Sequence, residues 1–138
     1  MRQAAQILVV QTPGQGLVEI TREVAGWVRD QAIGTGLLTV FCRHTSASLV
    51  IQENADPDVR RDLEAWVAQT APESGAWRHQ DEGPDDMPAH LRAVLTGVQL
   101  SIPVIDARPA LGTWQGIYVF EHRRRPHRRE VALHLIGG

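Results

Sequence analysis

The chain reads as an α+β protein, a single compact domain over residues 1–138, mainly antiparallel sheet with two to three helices. Three observations carry that reading. Strand-like and helix-like segments mix without the regular strand–helix–strand alternation that builds a parallel sheet. The C-terminal third is almost wholly strand-like, and helix-start signals occur near Thr21, Asp56 and Asp86. A chain of 138 residues is also long enough to bury a proper core without staples.

Taken in order, Ile7–Val10 is a first strand, closed by the turn signal Thr12-Pro13-Gly14-Gln15-Gly16. Leu17–Ile20 is a short strand able to pair back on it. Thr21 has the chemistry of a helix N-cap, and Val24, Trp27, Val28 and Gln31 follow at helical spacing until Gly34 and Gly36. Leu37–Cys42 is an apolar run suited to a buried strand, and it breaks into Arg43-His44-Thr45-Ser46-Ala47-Ser48. If the strand continues without a bulge, Cys42, His44, Ser46 and Ser48 share one face. A polar strip with a histidine between two core-like runs marks the wall of a pocket.

Asp56-Pro57 is a helix start: a capping carboxylate, then proline at the first helical position. Val59, Leu63, Trp66 and Val67 form the apolar stripe behind it, and Ala71–Gly75 ends it. A third helix is expected from about Asp86 to Gly97, with Leu91, Val94 and Leu95 inward. Val98–Asp106 contains Pro103, which argues for a sheet edge or bulge. Gln115–His122 and Glu130–Ile136 are strand-like, and the arginine-rich Arg123–Arg129 between them reads as a hairpin tip.

His44, His79 and His90, with Asp85 and Asp86 nearby, are the residue types that hold zinc, manganese or iron. Asp86 and His90, four apart, would project from one face of a helix near its start. The plainer reading is solvated loop histidines beside an acidic surface run. Thr45, Ser46 and Ser48 could include a nucleophile, but no Gly-x-Ser-x-Gly elbow is present, and hydroxyls that orient a ligand are the better reading. Gly112-Thr113-Trp114-Gln115-Gly116 could cover a planar ring, though the same residues make a tight turn and a core plug. Arg123, nearest the strand end, is the arginine placed to reach a phosphate.

All 14 basic residues are arginine, and the net charge of -2 gives no bulk drive toward nucleic acid or anionic lipid. The arginine-rich stretch has no interleaved aromatic residue, which argues further against nucleic acid. One cysteine, Cys42, excludes an internal disulfide. No apolar segment approaches a membrane span, and the N-terminus has no signal-peptide pattern. The expectation is a cytoplasmic protein with no membrane partner.

Four segments together resemble one family: His44-Thr45-Ser46-Ala47-Ser48-Leu49, then Glu53-Asn54-Ala55-Asp56-Pro57, then Glu82–His90, then Leu111–Tyr118. The chain is similar to the YjbQ-like family, often named for a secondary thiamine-phosphate synthase activity. The resemblance implies a homotrimer of α+β domains, a pocket around the histidine motif, and a divalent metal ion. It implies His44, Asp86 and His90 as catalytic positions and His44, His79 and His90 as metal ligands. Thr45, Ser46, Thr113, Trp114 and Gln115 would line the substrate pocket, with Arg123 beside them. The family name suggests coupling a pyrimidine diphosphate to a thiazole phosphate. Loss of pyrophosphate normally wants magnesium and positive charge on the leaving group, and no segment here resembles a pyrophosphate loop. The residues fit better with a metal-dependent enzyme that acts on a small phosphorylated or heteroaromatic metabolite, with thiamine-phosphate synthesis weak or secondary. Zinc or another transition metal suits imidazoles better than magnesium. The alternative is a non-catalytic trimeric protein that binds a metabolite or metal.

Overall fold

Alternating apolar and polar residues lay down two antiparallel sheets that share one core. The computed structural model describes residues 1–138. The first sheet contains β1 (Arg2–Thr12), β3 (Gly36–Cys42), β5 (Gln99–Ile105), β6 (Arg108–Pro109) and β8 (His127–Gly137), in the order β1-β8-β3-β5-β6. The second contains β2 (Gly16–Glu19), β4 (Ala47–Glu53) and β7 (Gln115–Glu121), in the order β2-β7-β4. The helices are α1 (Thr21–Asp30), α2 (Pro57–Thr70) and α3 (Asp86–Thr96).

The core joins alternate residues of the first sheet, such as Leu38, Val40, Leu133 and Leu135, to Leu49, Ile117 and Val119 of the second. Val24 and Val28 of α1 complete it. All of these are essentially unexposed, so truncating any one to alanine is expected to cost about 2–5 kcal/mol. Gly116 to Glu121 are all buried, because β7 is the central strand of its sheet and is covered on both faces. The first sheet keeps an outer face on which Ile7, Val9, Leu37, Phe41 and Ile136 are exposed.

Several expectations are corrected. β2 pairs with β7, not back on β1. The site strand does not run on: β3 ends at Cys42, and β4 begins at Ala47 in the other sheet. Likewise β7 and β8 lie in different sheets, so the arginine-rich stretch is a crossover rather than a hairpin tip. Three of the six sheet-to-sheet connections, at residues 13–15, 43–46 and 122–126, meet at one end, where Glu121 opposes both Gly16 and Ala47. A buried polar network stitches them together. Arg129 Nε donates to Glu121 Oε1 at 2.7 Å, its Nη2 donates to Glu121 Oε2 and Ser46 Oγ, and Thr12 Oγ1 donates to Glu121 Oε1 at 2.6 Å. Strand periodicity cannot see such a switch, since its partners are far apart in sequence.

Thr21 is the first residue of α1 rather than its cap; its hydroxyl accepts the Ile117 N–H at 2.9 Å. Asp56 caps α2 as expected, accepting from Asp58 N at 2.9 Å, but Trp66 is exposed and Val67 alone is buried. On α3 the inward face is Pro88, Ala89, Arg92 and Ala93, while Val94 and Leu95 are exposed. β6 covers only Val104 and Ile105, so β5 is an edge over most of its length, including Pro103.

Candidate metal centre

The first turn of α3 places Asp86 and His90 four residues apart on one face. Asp85 holds the cap position but makes no cap hydrogen bond; its carboxylate turns to the 122–126 crossover, where Arg123 Nε donates to it at 2.9 Å. His79 returns from the loop between α2 and α3. Its Nε2 is 2.5 Å from Asp86 Oδ2, and His90 Nε2 is 3.1 Å from the same oxygen. One donor atom from each of His79, Asp86 and His90 lies within 4.8 Å of the others.

Donor accounting fixes the tautomers. His90 Nδ1 is 2.9 Å from the Thr45 carbonyl, which can only accept, so Nδ1 carries a proton. Its Nε2 faces a carboxylate oxygen, a contact that a second ring proton or a cation between them satisfies. A ring N–H held by a backbone carbonyl, with the other nitrogen free, is how a ligating histidine is usually oriented. The other Asp86 oxygen, Oδ1, accepts from Arg123 Nη1 at 2.8 Å. Burial alone would raise the Asp86 carboxyl, but the His79 hydrogen bond and the charges of His90 and Arg123 outweigh it and hold it below the usual carboxylate range. Asp85 is likewise held low, because bonds from Arg123 and the Arg124 N–H exceed the effect of burial.

His44 is not part of the cluster. Its Nε2 accepts the Glu130 N–H at 2.7 Å, so that lone pair is occupied and Nδ1 carries the proton. Burial, reinforced by the Arg129 charge, lowers its pKa, in keeping with a neutral ring. This corrects the expectation of His44 as a ligand beside His79 and His90. His44 and His90 do line one cavity of about 750 Å³, with Phe41, Cys42, Ala93, Val94 and Val98 as its apolar wall. The Cys42 thiol there is pushed up by burial and stays protonated.

Thr45 lines the same cavity and supplies its carbonyl to His90. Ser46 is tied to Arg129, and Ser48 is fully buried, 2.9 Å from His122 Nε2. Neither hydroxyl faces the cavity. Thr113, Trp114 and Gln115 sit at the opposite end of β7, a strand of seven residues and so roughly 20 Å long. There Gln115 closes the turn on Gly112 N, and Trp114 is 62% exposed. Arg123, expected at a substrate phosphate, is engaged by Asp85, Asp86 and the Glu82 carbonyl. The sequence reading missed Phe41, Ala93 and Val98 as cavity wall. Phe41 was legible in principle, since strict alternation in β3 turns it away from the core that holds Val40 and Cys42.

The sequence profile of the family described as "UPF0047 protein YjbQ-like" matches residues 5–138. A UPF0047 protein of Synechocystis is 52% identical over 137 residues, covering 99% of this chain and 93% of that protein. The YjbQ protein of Salmonella typhimurium is 44% identical, covering 86% and 84%. A YjbQ/UPF0047 protein of Clostridium acetobutylicum, described as uncharacterised, has a crystal structure that superposes with a TM-score of 0.88 at 35% identity, over 95% of this chain and 99% of that one. A Sulfolobus solfataricus protein of unknown function shares the fold at a TM-score of 0.88 and 22% identity, over 99% of this chain and 100% of that one.

Proposed function

We propose, for a chain that belongs to the UPF0047 YjbQ-like family, a metal-dependent enzyme acting on a small phosphorylated or heteroaromatic metabolite. The supporting observation is the convergence of His79 Nε2, Asp86 Oδ2 and His90 Nε2 within 4.8 Å of one another, two imidazoles meeting on one buried carboxylate oxygen. His79 Nε2, Asp86 Oδ2 and His90 Nε2 would hold it, two imidazoles and one carboxylate that suit zinc or another transition metal better than magnesium. Three protein ligands leave a coordination position open, and the ion, when bound, supplies Lewis acidity to a substrate oxygen or nitrogen.

The chain's own residues do the remainder. Thr45 fixes the His90 ring through its carbonyl, and Arg123 fixes Asp86 by holding Oδ1, so that only Oδ2 faces the imidazoles. The roughly 750 Å³ cavity beside His90 receives the substrate, with His44 as a proton donor rather than a ligand. Thiamine-phosphate synthesis, if present, would be secondary, because a leaving pyrophosphate would meet a single arginine in this cavity, Arg43, which already pairs with Glu130 at 3.0 Å. The exposed apolar residues Ile7, Val9, Leu37 and Ile136 of the outer face favour association with further copies, here taken as a homotrimer. Thr113, Trp114 and Gln115 could join the cavity only from a neighbouring copy.

Metal analysis of protein purified without chelator tests the reading. About one transition-metal ion per chain is expected, retained in His44→Gln and lost in Asp86→Asn and His90→Gln. A wild-type protein that neither carries nor takes up metal would overturn it. A non-catalytic binder of the same ligands would show thermal stabilisation by a metabolite that it leaves chemically unchanged.

A further inference from the structure

We propose that the cavity beside the metal cluster selects an uncharged, planar heteroaromatic ring bearing a hydrogen-bond acceptor, which the His44 Nδ1–H recognises, and that it does not take the phosphate end of any substrate. This deepens the functional reading above and rests on it for chemistry, though not for binding.

Donor accounting carries the argument. Because the Glu130 N–H occupies His44 Nε2, the ring cannot be an imidazolium and offers one neutral N–H, at Nδ1. That nitrogen has no partner within the chain, and no buried side-chain polar atom is left unpaired, so Nδ1 is accessible on a ring that lines the cavity. The rest of the wall holds no unpaired charge. Arg43 is paired with Glu130, the Cys42 thiol is protonated, Thr45 and Gly97 are neutral, and Phe41, Ala93, Val94 and Val98 are apolar. Moving a phosphate against such a wall is costly, whereas a flat ring gains by covering its apolar side chains. His90 lies in this wall and in the histidine–aspartate cluster at once, so a ring seated here would lie beside a residue proposed to hold the ion.

The test uses two rings of one shape on chelator-treated protein at pH 8. Quinoxaline carries ring nitrogens that accept hydrogen bonds, and naphthalene carries none. NMR titration of wild type is expected to show quinoxaline binding about five- to tenfold tighter, the worth of one neutral hydrogen bond. Quinoxaline should shift the His44 Nδ1 resonance in histidine-labelled protein, and inorganic phosphate should leave it unmoved. His44→Phe should erase the preference between the rings, and Val94→Asp, at an 83% exposed position that tolerates substitution, should weaken both. Equal binding of the two rings to wild type, a preference that survives His44→Phe, or phosphate displacing quinoxaline would each overturn the proposal. Metal content is measured on the same samples. Ring binding without metal uptake sinks the metal reading alone, and metal uptake without ring selectivity sinks this one alone.

Discussion

Two arginine–carboxylate pairs flank His122, and their donor balances differ. Glu121 and Arg129 have 0% and 4% of their side chains exposed. Every lone pair of Glu121 is answered: Thr12 Oγ1 and Arg129 Nε on Oε1, and Arg129 Nη2 with the His122 and Arg123 N–H groups on Oε2. Asp86 and Arg123 form the second pair, with 2% and 16% exposed. There the arginine answers only Oδ1, and Oδ2 faces two imidazoles. The closed network binds three crossovers together. The open one gathers two histidines on a single carboxylate oxygen, the arrangement on which the proposed metal site rests.

Breaking the closed pair should have the largest effect. Glu121→Ala leaves the Arg129 charge buried and unpaired, and removal of one partner from such a pair costs about 3–5 kcal/mol. Urea unfolding should show that loss, while the protein that remains folded binds metal with wild-type stoichiometry. A loss of metal at unchanged stability would mean that the two networks are one.

Breaking the open pair should invert the result. Arg123→Gln frees Asp86 Oδ1 without touching a ligand, and loss of such an orienting partner typically costs about 10–100-fold in metal affinity. Competition with a chromophoric chelator measures it, and Arg123→Lys should restore part of the affinity. Unchanged affinity in Arg123→Gln would make this arginine a purely structural tie between the 79–86 loop and the crossover.

His122 lies between the pairs and sharpens the contrast through pH. Thr96 donates to the Arg92 carbonyl, so Ser48 must donate to Thr96 and accept from His122 Nε2–H. Burial, then the nearby Arg92 charge, push the His122 pKa down to about 3 from 6.5. Between those values the unfolded chain takes the proton and the folded one refuses it. Stability should therefore fall as pH falls through that window, by about 1.4 kcal/mol per unit at most. The depressed Glu121 carboxyl adds to the loss below the ordinary carboxylate range. Unfolding midpoints measured from pH 7 to 4 should show the slope in wild type and a shallower one in His122→Gln. Equal slopes would place the acid sensitivity elsewhere.

Local chemistry was legible in the sequence and long-range pairing was not. Asp56-Pro57 announces α2, and the Asp86–His90 spacing announces half of the cluster, because both signals lie within one helical turn. Nothing in sequence ties His79 to Asp86 except the six residues between them, whose path is held by Arg123, 37 residues beyond Asp86. The fold class was readable from strand content, but which strands pair was not. β3 and β4 look like one interrupted strand until Ala47 is seen opposite Glu121 in the other sheet. His44 was singled out for its residue type. Its occupied Nε2 depends on a backbone N–H 86 residues away, which no motif encodes.

The smallest effect belongs to a third pair on the same crossover, Arg124 with Glu73, where the arginine side chain is 60% exposed. In water the gain from such a pair is offset by screening and by the entropy of holding two long side chains. Arg124→Ala is therefore expected to change stability by less than about 1 kcal/mol, and less again in 0.5 M salt. Its backbone N–H still donates to Asp85 at 3.0 Å in the variant, so metal affinity should stay near wild type. Arg129, Arg123 and Arg124 would then form a series in which rising exposure moves the function of one residue type from holding the fold, to holding a proposed metal ligand, to nearly nothing. A loss in Arg124→Ala comparable to that in Glu121→Ala would break the series and show that the loop carrying Glu73, not the buried network, secures this end of the molecule.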